Sequence, residues 1–296
     1  MANEMTSTAL ASIILPEVIA EAKLAFQNDA NLVQFVRLQD LSGAPTATAS
    51  FPVFAAATVT KPGSETTDVT TNSAITPTDV TLTVVRRTVK ILPSDLGWAS
   101  SAENMSQRLG QLIGQARAKQ VDTDICAVMT TNYTSSVGAT NSTDVSFANI
   151  ASALLTLETN EANQNLVLVL HPKQWNHLRG DLVIVSGTAD SSDKSAAGQS
   201  VMTSGMIGTT LFGAKVIVTP RVGTGTDTNA MYLGFLGNAS EAIGYAVKNV
   251  NASLGLPEIE FERDASIGGT EVVHNYYDKA GIIRASGLVL VKSQTY

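Results

Sequence analysis

The sequence predicts an α+β fold with a two-stranded arm standing off the body, on three observations. A Thr- and Val-rich excursion runs from Thr46 to Leu92 with too few large apolar residues for a core of its own. A long amphipathic helix follows it at once. From Thr210 onward the chain breaks into short strands separated by Gly, Asn and Asp turns.

Residues 1–45 read as an N-terminal arm. Pro16–Phe26 carries an imperfect apolar stripe of helical spacing, and Asn31–Leu38 reads as extended. Nothing in this stretch closes a core locally, so the arm is expected to lean on an outside surface. The excursion reads as strands over Ala49–Thr60 and Asp79–Leu92, joined by a polar tip, Lys61–Thr78. Val80, Leu82 and Val84 alternate with Thr81 and Thr83, the period of a half-buried strand. The phase then slips to Val85, Val89 and Ile91, with Arg86 and Arg87 side by side. A slip flips every side chain to the other face unless a bulge or bend absorbs it, so a bend is predicted near Val84–Arg87. A two-stranded arm alone in water is marginal, so it is expected to lie on a neighbouring copy of the chain. Phe51, Phe54, Val80, Leu82, Val84, Arg86 and Arg87 are the residues expected at that contact between subunits.

Ser100 and Glu103 have capping-box spacing and predict a helix start there. The helix is expected to run to about Tyr133, with Leu109, Leu112, Ile113 and Ala116 continued by Val121, Ile125, Val128 and Met129. At 1.5 Å per residue it makes a spine of roughly 45 Å. A loop over Asn132–Ser146, a helix over Phe147–Glu161, a buried strand at Leu166–Leu170 and a short helix opening at Pro172 come next. Val183–Gly208 reads as a long loop. Strands are then predicted at Ala214–Thr219, Ala230–Leu236, Glu241–Val247, Ile259–Arg263, Glu271–Tyr277 and Ile282–Val291.

Composition limits what the chain does. Hydrophobic residues make up 44% and charged ones 15%, so a sizeable core is available and much of the surface is expected to be covered by partners. The net charge of -7 argues against a dedicated nucleic-acid binder. The single cysteine, Cys126, cannot form an internal disulfide and reads as a small buried apolar residue. No signal peptide or run of membrane-spanning length is visible, so synthesis in a cytoplasm without export is expected.

No constellation for catalysis, cofactor binding or metal binding emerges. His171 and His177 are six apart, about 120° around a helix, which suits no common metal spacing. Gly223-x-Gly225 lacks the third glycine of a phosphate loop. Asp122-Thr123-Asp124 lacks the loop and Glu of a calcium site and reads as helix-surface carboxylates. Glu258, Glu260 and Glu262 share one strand face and read as edge protection rather than an acid/base pair.

The order of arm, β-excursion, spine helix, α/β middle and returning strands resembles the major capsid proteins of tailed phages with the HK97-type fold. Local stretches are similar too. Leu211-Phe212-Gly213-Ala214-Lys215-Val216-Ile217-Val218 resembles the glycine-led central strand of the family's A-domain. Leu168-Val169-Leu170-His171-Pro172-Lys173-Gln174-Trp175 resembles the strand-to-helix passage upstream of it. Val272–Lys292, with Tyr276 and Tyr277, resembles the final P-domain strands. The resemblance implies an α+β, HK97-like capsid fold with five parts: an N-arm over 1–45, an extended β-hairpin E-loop over 46–95, a P-domain with the spine helix over 96–160, an α/β A-domain over 161–249, and returning P-domain strands over 250–296. It implies a non-enzymatic shell subunit that assembles through pentamers and hexamers around double-stranded DNA. The implied partners are portal and scaffolding proteins, with a decoration protein as an optional one, and the implied place is the virion capsid. Some relatives cross-link through an E-loop lysine; Lys61 sits near the tip, but no partner Asn or catalytic Glu matches. A non-viral encapsulating shell protein of the same fold is the alternative.

Overall fold

The computed structural model describes residues 7–54, 75–100, 104–138, 144–186, 210–225, 231–254, 258–264 and 266–294. The arm tip with Lys61, the capping-box Glu103 and most of the expected 183–208 loop lie outside these residues.

Helix α1 spans Ser7–Asp29 and passes through Pro16, well before its expected start. It lies along α3, Met105–Thr131, the expected spine. Val18 and Glu21 face Gly110, and Ala22 and Ala25 face Gly114, so the two helices run parallel. A Cβ on Gly110 would come within 2.6 Å of the Val18 carbonyl oxygen, and one on Gly114 would collide with that of Ala22. The missing side chains therefore let the backbones touch. Val18, Ala22, Leu109, Ile113, Ile259 and Val272 close over this contact as a buried cluster. Much of the expected apolar stripe is covered within the subunit by the spine helix: Val18, Ala22 and Ala25 are buried, while Leu24 stays exposed.

Polar groups fix the pairing. Glu17 accepts from Asn104 and Ser106 at 2.9 and 2.7 Å, and Glu21 accepts from Gln107 at 3.0 Å. Asp122, 3% exposed, accepts the backbone N–H groups of Asn31 and Leu32 at 3.2 and 3.1 Å. It is no surface carboxylate; it satisfies the turn at the end of α1, and burial holds its carboxyl above the ordinary range. After that turn the expected extended stretch is a 3-10 turn at Val33–Phe35 and then a short strand, β1, Arg37–Asp40.

Ser100 ends a short helix, α2, Asp95–Ser100, and its hydroxyl donates back to the Leu96 carbonyl at 2.6 Å. The spine starts later, with Asn104 at its N-cap. A serine hydroxyl can donate to an i−4 carbonyl as well as cap a following helix.

Strands β2, Thr48–Phe54, and β3, Pro77–Thr83, pair antiparallel as an isolated two-stranded sheet. Strand β4, Val85–Ile91, leaves β3 across Val84 and pairs instead with β13, Gly269–Ile282. The slip in apolar phase therefore marks a change of partner at one residue. Strand β13 is the centre of a five-stranded sheet. It carries β4 on one edge; on the other lie β11, Ile243–Lys248, and β12, Ile259–Asp264, with β1 parallel to β11.

A second sheet holds β5, Ser135–Val137; β14, Leu288–Gln294; β10, Met231–Gly237; β6, Val167–Leu170; β8, Ala214–Val218; and β7, Thr210–Leu211, in that order. A short β9, Thr224–Gly225, flanks β10. Strand β5 lies inside the stretch expected as loop. The expected strand over Ile282–Val291 is interrupted by a 3-10 turn at Ala285–Gly287, and a helical turn, Ala239–Ala242, opens the one expected at Glu241. Helices α4, Phe147–Thr159, and α5, Pro172–Ser186, cover one face through Ile150, Ala153, Leu157, Trp175 and Leu178. The other face meets α3 through Val121, Ile125, Cys126 and Met129. Cys126 is 2% exposed, and burial pushes its thiol up to about 12, so it is an inert filler of this core.

Among the described residues no helix is long and apolar enough to cross a membrane.

Candidate subunit-contact surface

Among the described residues, the hairpin β2–β3 packs on the body at its root. Ala49, Phe51, Leu82 and Val84 join Leu41 and Ala246 in a buried cluster, with Val80, Tyr277 and Ile283 at its margin. Its seat is a pair of glycines. Gly244 of β11 and Gly281 of β13 stand directly opposite each other in the ladder. A Cβ on Gly244 would lie 3.0 Å from the Phe51 ring, and one on Gly281 would collide with Leu82. The absence of both side chains makes the cup into which the root packs.

This placement corrects part of the sequence reading. Phe51, Leu82 and Val84 are 1%, 8% and 9% exposed within a single subunit, so their apolar area is already used before any neighbour arrives. Alternation along a strand reports that one face is covered but not by which chain. Leu82→Asp and Val84→Asp therefore act on the subunit itself. Each strands a carboxylate in an apolar cluster, and the double variant is expected to lose the folded soluble subunit rather than only the shell. Soluble yield and circular dichroism of the purified chain check this.

Val80, opposite Phe51, is half-buried, while Arg86, opposite Tyr277, is exposed. Phe54, at the distal end of β2 and paired with Pro77, is 63% exposed. Of the expected contact residues, Phe54 and Arg86 point outward and Arg87 does not.

Arg87 is tied inside the subunit. Its Nε donates to Asp278 Oδ1 at 3.0 Å, and its terminal nitrogen pairs with Asp124 of α3. The Tyr245 hydroxyl donates to the second oxygen of Asp278 at 2.8 Å. Asp278 is 1% exposed, and burial holds its carboxyl above the ordinary range although Tyr245 and Arg87 both pull it down. Burial and the Asp278 charge together push the Tyr245 hydroxyl up. This network pins β4, the root of the arm, to the spine and to the sheet at once. The adjacent arginines at the phase slip were its only trace in the sequence.

Outward apolar side chains are spread over several elements, Leu96, Leu254 and Ile267 among them, and two of them, Leu155 and Phe212, lie on α4 and the β7–β8 turn. From Phe147 to Thr159 the only charged residue is Glu158. Ala148, Ala151, Ser152 and Leu155 are exposed, Leu155 by 63%. A solvated helix normally carries charge on its outer face. Beside it, Phe147 meets Phe212 edge to face at 6.4 Å. Phe212 sits at the first central position of a two-residue turn with φ 49°, ahead of Gly213 at φ 79°. That conformation suits Asn, Asp or Gly and is strained for a bulky residue, yet the phenyl ring is 49% exposed. Periodicity could not find this pair; the charge-poor composition of α4 could have.

The histidines form no joint site. His171 stacks on Tyr232 at 3.8 Å, and His177 approaches Asp144 at 3.2 Å on another side of α5. Glu258 leaves the expected carboxylate row by pairing with Lys23 at 3.2 Å, while Glu260 and Glu262 stay exposed.

Solved structures share this architecture. The chain is similar to a structure from Mycobacterium phage Che8, with 19% identity, 90% of each chain covered and a TM-score of 0.64. It is similar to the capsid of Ralstonia phage GP4, with 10% identity, 90% of this chain and 89% of that one covered, and a TM-score of 0.67. It is also similar to a virus-like particle from Pyrococcus furiosus, with 8% identity, 94% and 98% covered, and a TM-score of 0.59. No curated protein matches. The fold is thus the α+β, HK97-like capsid fold. Residues 95–291, most of the chain, match the family described as phage capsid protein, and the chain belongs to that family.

Proposed function

We propose that the chain is a tailed-phage major capsid protein whose copies assemble through pentamers and hexamers into an icosahedral shell around double-stranded DNA. The family match over residues 95–291 carries this reading. Its work is non-catalytic: the free energy of function is apolar area buried between copies, roughly 25 cal/mol per Å² before ordering costs. The net charge of -7 suits a wall that encloses DNA without reading it. In this reading the β2–β3 hairpin is the E-loop. The spine and five-stranded sheet form the P-domain. The A-domain is the seven-stranded sheet, which takes in β5, α4 and β14 from stretches first assigned elsewhere. The contact residues are Phe54 and Arg86 on the arm and Leu155 and Phe212 on the A-domain.

Negative-stain microscopy of the purified protein tests the reading. Closed particles that protect DNA from nuclease are expected in infected cells, and a monomer at every concentration would sink it. Phe212→Asp separates assembly from folding. Asp tolerates the left-handed turn better than Phe, so subunit stability is expected to stay within about 0.5 kcal/mol of wild type or rise. Particle yield is expected to collapse, because a carboxylate replaces an apolar anchor.

A further inference from the structure

A cavity of about 140 Å³ lies beneath the C-terminal half of α1. Its walls come from four elements: Ile19, Lys23 and Phe26 of α1, Ile113 and Arg117 of α3, Ile259 of β12 and His274 of β13, with Glu258 just before β12. His274 is 5% exposed. Its Nδ1 lies 2.9 Å from the Glu258 carbonyl oxygen, an arrangement in which the neutral ring donates. Tyr276 stacks on it at 5.5 Å.

The charges around this ring are unbalanced. Arg117 holds its guanidinium over Phe26 at 4.5 Å and over Tyr276 at 5.0 Å, and its buried Nε has no hydrogen-bond partner among the described residues. Lys23 approaches from α1. The one carboxylate, Glu258, is already engaged by Lys23 at 3.2 Å and by Asn249 at 2.7 Å. A proton added to His274 would thus put a third cation beside Arg117 and Lys23, at a buried ring whose neighbouring anion is already paired.

We propose that His274 is a proton-operated latch on the N-terminal helix: its protonation loosens α1 from α3 and the sheet. With α1 in place the imidazolium is buried beside Arg117 and Lys23; with α1 lifted it is hydrated. Acid therefore favours the lifted state. Burial, with Arg117 and Lys23, holds the His274 ring below its usual 6.5. The sign is that of a depressed base: the closed state is fully stable above the ordinary histidine value and loses stability as pH falls through it, until the buried value is passed. One proton gives at most about a tenfold shift in the lifted population per pH unit. Asp122, which also holds the end of α1, is shifted the other way by burial, so its protonation favours the closed state and opposes the slope expected from His274.

The test is hydrogen–deuterium exchange on the unassembled full-length chain between about pH 7.5 and about pH 5, with intrinsic exchange rates divided out. Opening of the α1 segment is expected to rise up to about tenfold per pH unit below about 6.5, while α4 and β10 stay flat. His274→Gln, which keeps a donor for the Glu258 carbonyl, is expected to abolish the slope. A flat wild type, or a slope that survives in His274→Gln, overturns the proposal. If that variant does not fold, the wild-type imidazole titration followed by NMR decides: a ring that titrates at or above the ordinary histidine value of about 6.5 overturns it equally.

Discussion

Gly114→Ala is expected to drive α1 off the spine and destabilise the subunit by about 2–4 kcal/mol. An added Cβ would collide with the Ala22 carbonyl oxygen and lie 2.8 Å from the Ala25 Cβ and 3.0 Å from the Phe26 amide nitrogen. Two of these three neighbours are backbone, so no rotamer relieves them. Helix propensity alone predicts the opposite sign, since Ala in a helix interior is better than Gly by about 1 kcal/mol. Overpacking costs about 1–3 kcal/mol even where the structure gives a little. If α1 lifts, Val18 and Ile113, both 0% exposed, meet water, and each large side chain is worth about 1.5–3 kcal/mol of burial. Geometry therefore outweighs propensity. Urea denaturation measures the loss, and limited proteolysis should find new cuts within α1. An unchanged or higher midpoint would mean that the two backbones do not touch at Gly114.

The two glycine pairs also show where the sequence was silent. The spine stripe was legible in part, because helical spacing marks a covered face: Leu109, Ile113, Val121, Ile125 and Met129 are buried and Val128 is half-buried, whereas Leu112 and Ala116 of the expected stripe are exposed. The phase slip at Val84 was legible as a bend, because alternation cannot continue through it. That α1 rests on the same chain was not legible. The signal is the absence of two side chains at Gly110 and Gly114, and an isolated glycine in a helical pattern reads first as a weakness. Gly244 and Gly281 are more than thirty residues apart and meet only through a ladder register that no local window contains. The same limit explains Phe51 and Leu82: the pattern showed that they are covered, while the chain that covers them was a matter of topology.

Arg87→Ala is expected to cost about 3–5 kcal/mol near neutral pH, the usual result of stranding one member of a buried ion pair. Asp278 would keep only the Tyr245 hydroxyl, and Asp124 would lose its cation. The pH dependence tells this mechanism from simple loss of packing. Burial already holds Asp278 above the ordinary carboxylate range, and Arg87 is one of the groups that pull it down. Removing Arg87 raises it further. A carboxyl raised in the folded state is penalised when charged, so its deficit grows as pH rises through the folded value and shrinks as acid protonates it. The gap between Arg87→Ala and wild type is therefore expected to narrow from about pH 7 to about pH 5 in urea titrations. Arg87→Ala with Asp278→Asn is expected to recover most of the loss at neutral pH, since an amide removes the stranded charge and still accepts from Tyr245. A deficit that ignores both pH and the second substitution would assign Arg87 to packing alone. Because β4 roots the arm beyond Val84, the single variant is also expected to loosen the β2–β3 root. Faster amide exchange at Phe51 and Leu82 than in wild type would show the arm's footing and the buried charge network to be one structural unit.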